Sequence, residues 1–369
     1  MSTFGKHRRL QDEDEDLLYK TQQTTIRRRL PWSAVEMTDR RRINGPTGAT
    51  RAPVFVSCAD VKDKSAFERP ARTRDAKELR KIYLKTGVIP SASGSAYFEL
   101  HPSNSNTSGS LIPPSSSLKL ICSVNGPKPL SRSTPFSPNL LLSAHVKFAP
   151  FAARRRRAHV RDMNERDLGV HLENALRGAI IGDRWPKSGL DITIMILEGE
   201  DDRWWGDMST AETLTGSDGW GMMNILAHCV TVASAAIADA RIDCLDLVAG
   251  GVAAVVEPSS SAEGATTSTK MVVLDPDPSE HSNISSACVV GYMPSLDEIT
   301  ELWLKGDMAG ASADGTYASP NHDALMDGAI AAARASHSVL IEAVKESAEQ
   351  AVSKTANNKQ HDSSSEMEI

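Results

Sequence analysis

The sequence predicts an α/β (α+β) fold in which mixed sheets are covered by helices, laid out as two βαβα-like halves of one domain. Three observations predict it. Apolar residues recur with a period of two in some segments and about 3.6 in others, so strands and helices succeed one another. The runs of strand type are short, whereas the helical stripes are long. The stretches between them are rich in Ser, Asn, Gly or Pro and read as loops.

The elements follow in order. GSAYFEL (Gly94 to Leu100) and LKLICSV (Leu118 to Val124) read as two strands, and the low-complexity tract 101–117 between them reads as an elongated hairpin loop. The pattern from Leu140 to Ala149 gives a third strand. Leu168, Leu172, Ala175, Leu176 and Ala179 then recur at helical spacing behind an Asn164 cap with Asp167 three residues on, which predicts an amphipathic helix. LDITIMIL (Leu190 to Leu197) returns to strand, and a second helix spans roughly Met222 to Ile242. LDLVAGGVAAVV and ACVVGYM resume the sheet. Gly250-Gly251 lies inside a strand pattern with no phosphate-binding helix after it, so it marks a close backbone approach rather than a nucleotide loop. An Ala-rich helix from about His322 to Ala351, entered through Ser319 and Pro320, closes the core. The domain therefore spans residues 67–352, with insertions near 101–117, 257–270 and 308–320. A flexible charged tail precedes it (1–66) and a disordered one follows (353–369).

Composition narrows the class. A hydrophobic content of 40% suits a globular core diluted by polar segments, and the net charge of -6 hides opposite local signs. Asp12 to Asp16 form an acidic block; Arg27 to Arg29, Arg40 to Arg42 and Arg154 to Arg157 form basic ones, so polyanion binding is compatible with the acidic total. Five cysteines without CxxC spacing argue against a secreted disulfide framework. Lys6, Arg8 and Arg9 run into acid rather than an apolar stretch, and no segment approaches ~20 uninterrupted apolar residues, so the expectation is a soluble intracellular protein with no membrane partner. The arginine triplets fit nuclear import and a solvated tail equally well. The Glu198, Glu200, Asp201, Asp202 cluster, followed by Trp204-Trp205, reads as a charged turn whose tryptophans pack on a neighbour, not as a metal site.

The run from Gly126 to Asp191 carries the most information. GPKPL with STPFSPN, the ERDLGVHLENALRGAIIGDRWPKSG helix and turn, and LDLVAGGVAAVV, in this order, resemble the core of the RNase PH family. RPARTRDAKELRKIYLKTGVIPSASGSAYFEL (Arg69 to Leu100) is similar to the family's opening segment, so the resemblance covers about Arg69 to Ala351 with gaps. It implies an RNase PH-like fold. Within the family the chain looks most like a ring subunit of the eukaryotic RNA exosome, built like a phosphorolytic nuclease but without activity.

Phosphorolysis needs a seat for inorganic phosphate and acidic groups that bind a metal or move a proton. In active relatives the seat is a Gly-Gly-Thr/Ser-Arg turn at a helix N-terminus. The matching turn here is Gly219-Trp220-Gly221-Met222-Met223-Asn224, which keeps glycines but has no hydroxyl–arginine pair. The family's two aspartates, six residues apart below a Leu-Asp strand end, fall without gaps on His281 and Ala287 when that pattern is laid on Leu274-Asp275. The expectation is a subunit with no catalytic residues, no metal and no cofactor, His281 being read as an exposed loop histidine. The alternative is an active phosphate-dependent 3′-to-5′ exoribonuclease using displaced acids such as Asp275 or Glu280.

Four adjacent arginines (Arg154, Arg155, Arg156, Arg157), with Lys147 before them and Arg161 after, cannot all be buried and offer a salt-sensitive phosphate surface. The resemblance sets them near a central channel. Contact with single-stranded RNA and pairing with acidic residues of an adjacent subunit both remain open. The partners implied are other RNase PH-like subunits in a hetero-hexameric ring, RNA-binding cap proteins and single-stranded RNA. The roles implied are rRNA processing and mRNA turnover in the nucleus, nucleolus and cytoplasm.

Overall fold

The computed structural model of the chain describes residues 72–102, 117–153, 162–200, 219–256, 271–281, 283–306 and 322–365. Their elements are β1 (Ile82–Thr86), β2 (Gly94–Leu100), β3 (Leu118–Pro129), β4 (Leu141–Phe148), α1 (Met163–Arg177), β5 (Ser188–Glu198), α2 (Trp220–Asp239), β6 (Ala249–Val256), β7 (Met271–Leu274), β8 (Ile284–Met293), β9 (Glu298–Gly306) and α3 (His322–Ser365). The 1–66 tail and most of the three insertions fall outside the described residues.

Two sheets result. The first has the order β1-β2-β3-β5-β4 and is mixed, with β4 parallel to β5 and the other pairs antiparallel. The second, β7-β6-β8-β9, is antiparallel throughout. The first half therefore contains the expected β4-α1-β5-α2 succession, while the second runs four strands before its single helix.

Burial explains the strand patterns. β2, β3 and β5 alternate buried and half-buried residues, so one face of the first sheet packs and the other meets solvent. Phe98, Leu120, Cys122, Ile192, Ile194 and Ile196 lie on the packed face. β6 is buried at every position, because α2 covers one of its faces and α3 the other. The expected close approach at Gly250-Gly251 is here. A Cβ on Gly250 would overlap the Ala227 carbonyl of α2, and one on Gly251 would overlap the Ala329 carbonyl of α3.

α2 lies between the sheets, contacting β2 and β3 on one side and β6 and β8 on the other. Its 20 residues and hydropathy of 1.5 would suffice to cross a bilayer, yet 94% of its apolar window is buried within the fold, as in a core helix.

Three expectations need correction. α1 is capped by Asp162, not Asn164: the Asp162 carboxylate accepts from the Met163 and Glu165 amides, and Glu165 reaches back to the Asp162 N–H, a reciprocal capping box. Glu165 also accepts from the Phe148 amide at 3.0 Å, tying the end of β4 to the start of the helix. α3 runs to Ser365 rather than ending near Ala351, so 353–365 is helix, not tail. No Gly or Pro follows Gly328, and a helix anchored by packing extends one hydrogen bond at a time through such sequence. β1, β7 and β9 were not anticipated. β9 hides its period because a bulge falls at Thr300, where Gly291 pairs Glu301 and Tyr292 pairs Ile299, so apolar residues change phase within one strand.

Candidate functional site

The turn expected to be a phosphate seat does open a helix. Gly219, at φ 69°, precedes α2 in a left-handed conformation that a side chain would strain, and no side chain caps the start. Free amides at such a terminus attract anions. The next side chains supply no cation: Met222 and Met223 are buried in the main core. Lys305 of β9 approaches from the side, 5.5 Å above the Trp220 ring, but no arginine belongs to the turn.

Asn224, one turn into the helix, connects this turn to an acidic cluster. Its amide donates to Glu200 at 2.7 Å and to the Pro276 carbonyl. Glu200 is therefore not exposed as its sequence context suggests: it is buried at the end of β5, where Arg80 holds it, while Asp201, Asp202 and Trp204-Trp205 lie outside the described residues. Arg80, just before β1, also gives Asp275 two side-chain hydrogen bonds, at 2.8 Å to Oδ2 and 2.6 Å to Oδ1, and its backbone N–H adds a third at 2.9 Å. Arg74 bridges Asp275 at 3.2 Å and Glu280 at 3.0 Å. The Arg72 guanidinium donates instead to the carbonyls of Arg74, Asp75, Glu78, Leu274 and Asp275.

The electrostatics follow from burial opposed by pairing. Burial favours the neutral form of Asp275, but the Arg80 charge and its hydrogen bonds win and hold that carboxyl well below the usual carboxylate range. Burial would likewise strip the proton from Arg80, yet Asp275 and Glu200 hold its pKa above the ordinary value. For Glu200 burial prevails over the pull of Arg80, with Asp277 and Asp275 adding repulsion, and its pKa is pushed up to about 7. Burial lowers His228, on α2, to about 4, so it is neutral and stacks on Phe98 with centroids 4.8 Å apart.

The turn and the acidic loop are thus adjacent, but His281 and Ala287 do not form a pair on an open face. His281 is half-buried, not an exposed loop residue, because the chain turns back there and its amide donates to the Asp277 carbonyl at 3.2 Å. Ala287 lies inside β8 opposite Ala254, 2% exposed. Asp275 and Glu280, the alternative acids, are held by arginines within the fold. Among the described residues no group of three or more His, Cys, Asp or Glu has the arrangement of a metal site.

Of the basic candidates, Lys147 is exposed on the edge strand β4, opposite Met195. Arg154, Arg155, Arg156, Arg157 and Arg161 lie in the connection from β4 to α1, outside the described residues. Sequence reasoning missed Arg74 and Arg80. Their only signal was position: two arginines in a segment otherwise feeding a strand, where Asp75 and Glu78 look like the local counter-charges while the buried partner Asp275 lies about two hundred residues away.

Residues 78–243 match domain 1 of the RNase PH 3′ exoribonuclease family. The chain is similar to the exosome complex component MTR3 of Chaetomium thermophilum, 50% identical over 84% of this chain and 99% of that one. It is 31% identical to exosome complex component mtr3 of Schizosaccharomyces pombe, over 73% of this chain and 85% of that one. It is 28% identical to exosome complex component MTR3 of Homo sapiens, over 73% and 84% respectively. Among solved structures, rice Rrp46 superposes with a TM-score of 0.50 at 14% identity, over 74% of this chain and 98% of that one, a likeness of fold.

Proposed function

The chain belongs to the RNase PH family, and on that premise we propose that it is a non-catalytic structural subunit of the exosome ring, supporting 3′-to-5′ RNA processing and degradation. The observation that carries the reading is the replacement of both halves of the phosphorolytic chemistry by internal contacts. Met222 and Met223 stand where a hydroxyl and an arginine would hold phosphate, and the nearby acids Asp275 and Glu280 are bound by Arg80 and Arg74 instead of facing a substrate. Asp275 in particular is a poor base, because the Arg80 guanidinium depresses its proton affinity. Nothing in this arrangement favours the active-exoribonuclease alternative.

The ring subunit pairs with other RNase PH-like subunits in a closed hetero-hexamer, supports RNA-binding cap proteins, and passes single-stranded RNA to a nuclease elsewhere in the assembly. Lys147 and the Arg154–Arg157 run, with Arg161, supply phosphate contacts along that path. The assembly works in nucleus, nucleolus and cytoplasm, on rRNA and mRNA.

The test incubates the purified chain with single-stranded RNA, with and without inorganic phosphate. The expected result is no release of nucleoside diphosphates in either condition, and a rise in thermal midpoint when RNase PH-like ring partners are added. Phosphate-dependent diphosphate release by the purified chain, absent from a mock purification of the host without the gene, sinks the reading.

A further inference from the structure

The acidic cluster carries an imbalance that its contacts do not remove. Among the described residues, four buried carboxyl groups (Glu200, Asp275, Asp277 and Glu280) face three guanidinium groups (Arg72, Arg74 and Arg80). Asp275 takes Arg80 and Arg74, and Glu280 takes Arg74. Asp277 accepts the Ser279 amide on Oδ1, at 2.8 Å. Its Oδ2 sits 3.8 Å from the same Arg80 Nη1 that holds Glu200, too far for a hydrogen bond, and has no hydrogen-bond partner among the described residues. The side-chain oxygen of Asn224, which touches Glu200 through its amide, is likewise buried without a donor. A cluster with one surplus charge and acceptors lacking a hydrogen is short of one proton, since an unpaired buried charge is neutralised rather than tolerated.

We propose that Glu200 and Asp277 hold one proton between them in the folded chain, making the cluster a one-proton lock that fastens the Arg72–Arg80 segment and the end of β5 to the Asp275–Glu280 loop. The groups around the pair are Arg80 from the approach to β1, Asn224 and His228 from α2, and Asp275, Glu280 and the half-buried His281 from the loop, the last with its amide on the Asp277 carbonyl, with Arg72 and Arg74 on the outer side. Burial raises both acids, Glu200 to about 7 from an ordinary 4.5.

The sign follows. A carboxyl whose proton is held more tightly in the folded state contributes stability that is complete below about pH 4.5 and lost as pH rises through about 7. Asp275, depressed, contributes the opposite dependence, but only below its ordinary range, so it is silent between pH 5 and 8. His228, also depressed, opposes the lock as pH falls below its ordinary value of 6.5, and does so equally in every variant that keeps it.

Urea unfolding of the full chain is measured at pH 5, 6, 7 and 8 for the natural sequence, Glu200→Gln and Asp277→Asn. The unfolding constant of the natural chain, divided by that of Glu200→Gln, is expected to rise about tenfold per pH unit from pH 5 toward 7 and then level off, about a hundredfold in all. Asp277→Asn, which removes the other half of the shared site, should show the same ratio. A ratio constant within about threefold from pH 5 to 8 for both variants overturns the proposal. If neither variant folds, carboxyl carbon NMR of the natural chain decides it. One Glu or Asp titrating near 7 supports the lock, and none titrating above about 5.5 overturns it.

Discussion

The Arg80 side chain is 1% exposed, and it faces three carboxyl groups. Its worth to the fold is therefore best judged by what its loss leaves behind. Replacing it with Ala strands Asp275 in the interior with only the more distant Arg74 as counter-ion, and breaking a buried pair on one side costs on the order of 3–5 kcal/mol. Urea unfolding at pH 7 should show a loss of that size. The deficit should narrow at pH 5, because an Asp275 freed from Arg80 can take up a proton there. Sequence made half of this visible. Asp275 and Glu280 stand out as acids near a strand end, but the arginines that hold them sit far upstream, where no local period connects them. Glu200, read beside Asp201 and Asp202, looked like surface charge. Only the fold shows that this carboxylate sits at the buried end of β5.

At the level of elements, β6 shows how much a sequence pattern can say. A run of small and β-branched residues with no polar alternation indicates burial on both faces, and the glycine pair indicates close contact. The structure adds that Gly250 meets α2 and Gly251 meets α3, so each glycine serves a different helix. Gly250→Ala drives a methyl into the Ala227 carbonyl, backbone that cannot rotate away, and should destabilise the chain by about 2–4 kcal/mol in thermal or urea unfolding. Serine or alanine at Gly178, where a Cβ meets only the Thr300 methyl at 3.8 Å, is the matched control and should cost less than about 1 kcal/mol. β1 and β9 were illegible for opposite reasons. β1 has five residues, too few to establish a period, and β9 has nine but shifts phase at its bulge. The α1 cap was misplaced by two residues because Asn164 and Asp162 both suit the position; Glu165, three residues after Asp162, was the distinguishing signal.

Across the whole molecule, the order of layers was readable where periodicity is strong, from β2 to α2, and less so in the second half, where four strands precede one helix. The start of α2 was legible at Gly219 because a glycine ahead of a long apolar run marks a helix boundary. α3 joins the two halves: it lies on β6, β7 and β8 and also reaches β1. Leu325, Ala329 and Ala333 complete a second apolar cluster with Ala253, Val255, Cys288, Val290 and Tyr292. A chain ending at residue 321 should therefore lose its cooperative thermal transition by circular dichroism and associate in light scattering, whereas one ending after Ser353 should keep the transition. The same dependence has a consequence during synthesis. At about 5–20 residues per second, the interval between translation of Val256 and of Leu340 lasts several seconds. Throughout it the outer face of β6 is complete but bare, a window in which a nascent chain of this design depends on holding factors at the ribosome.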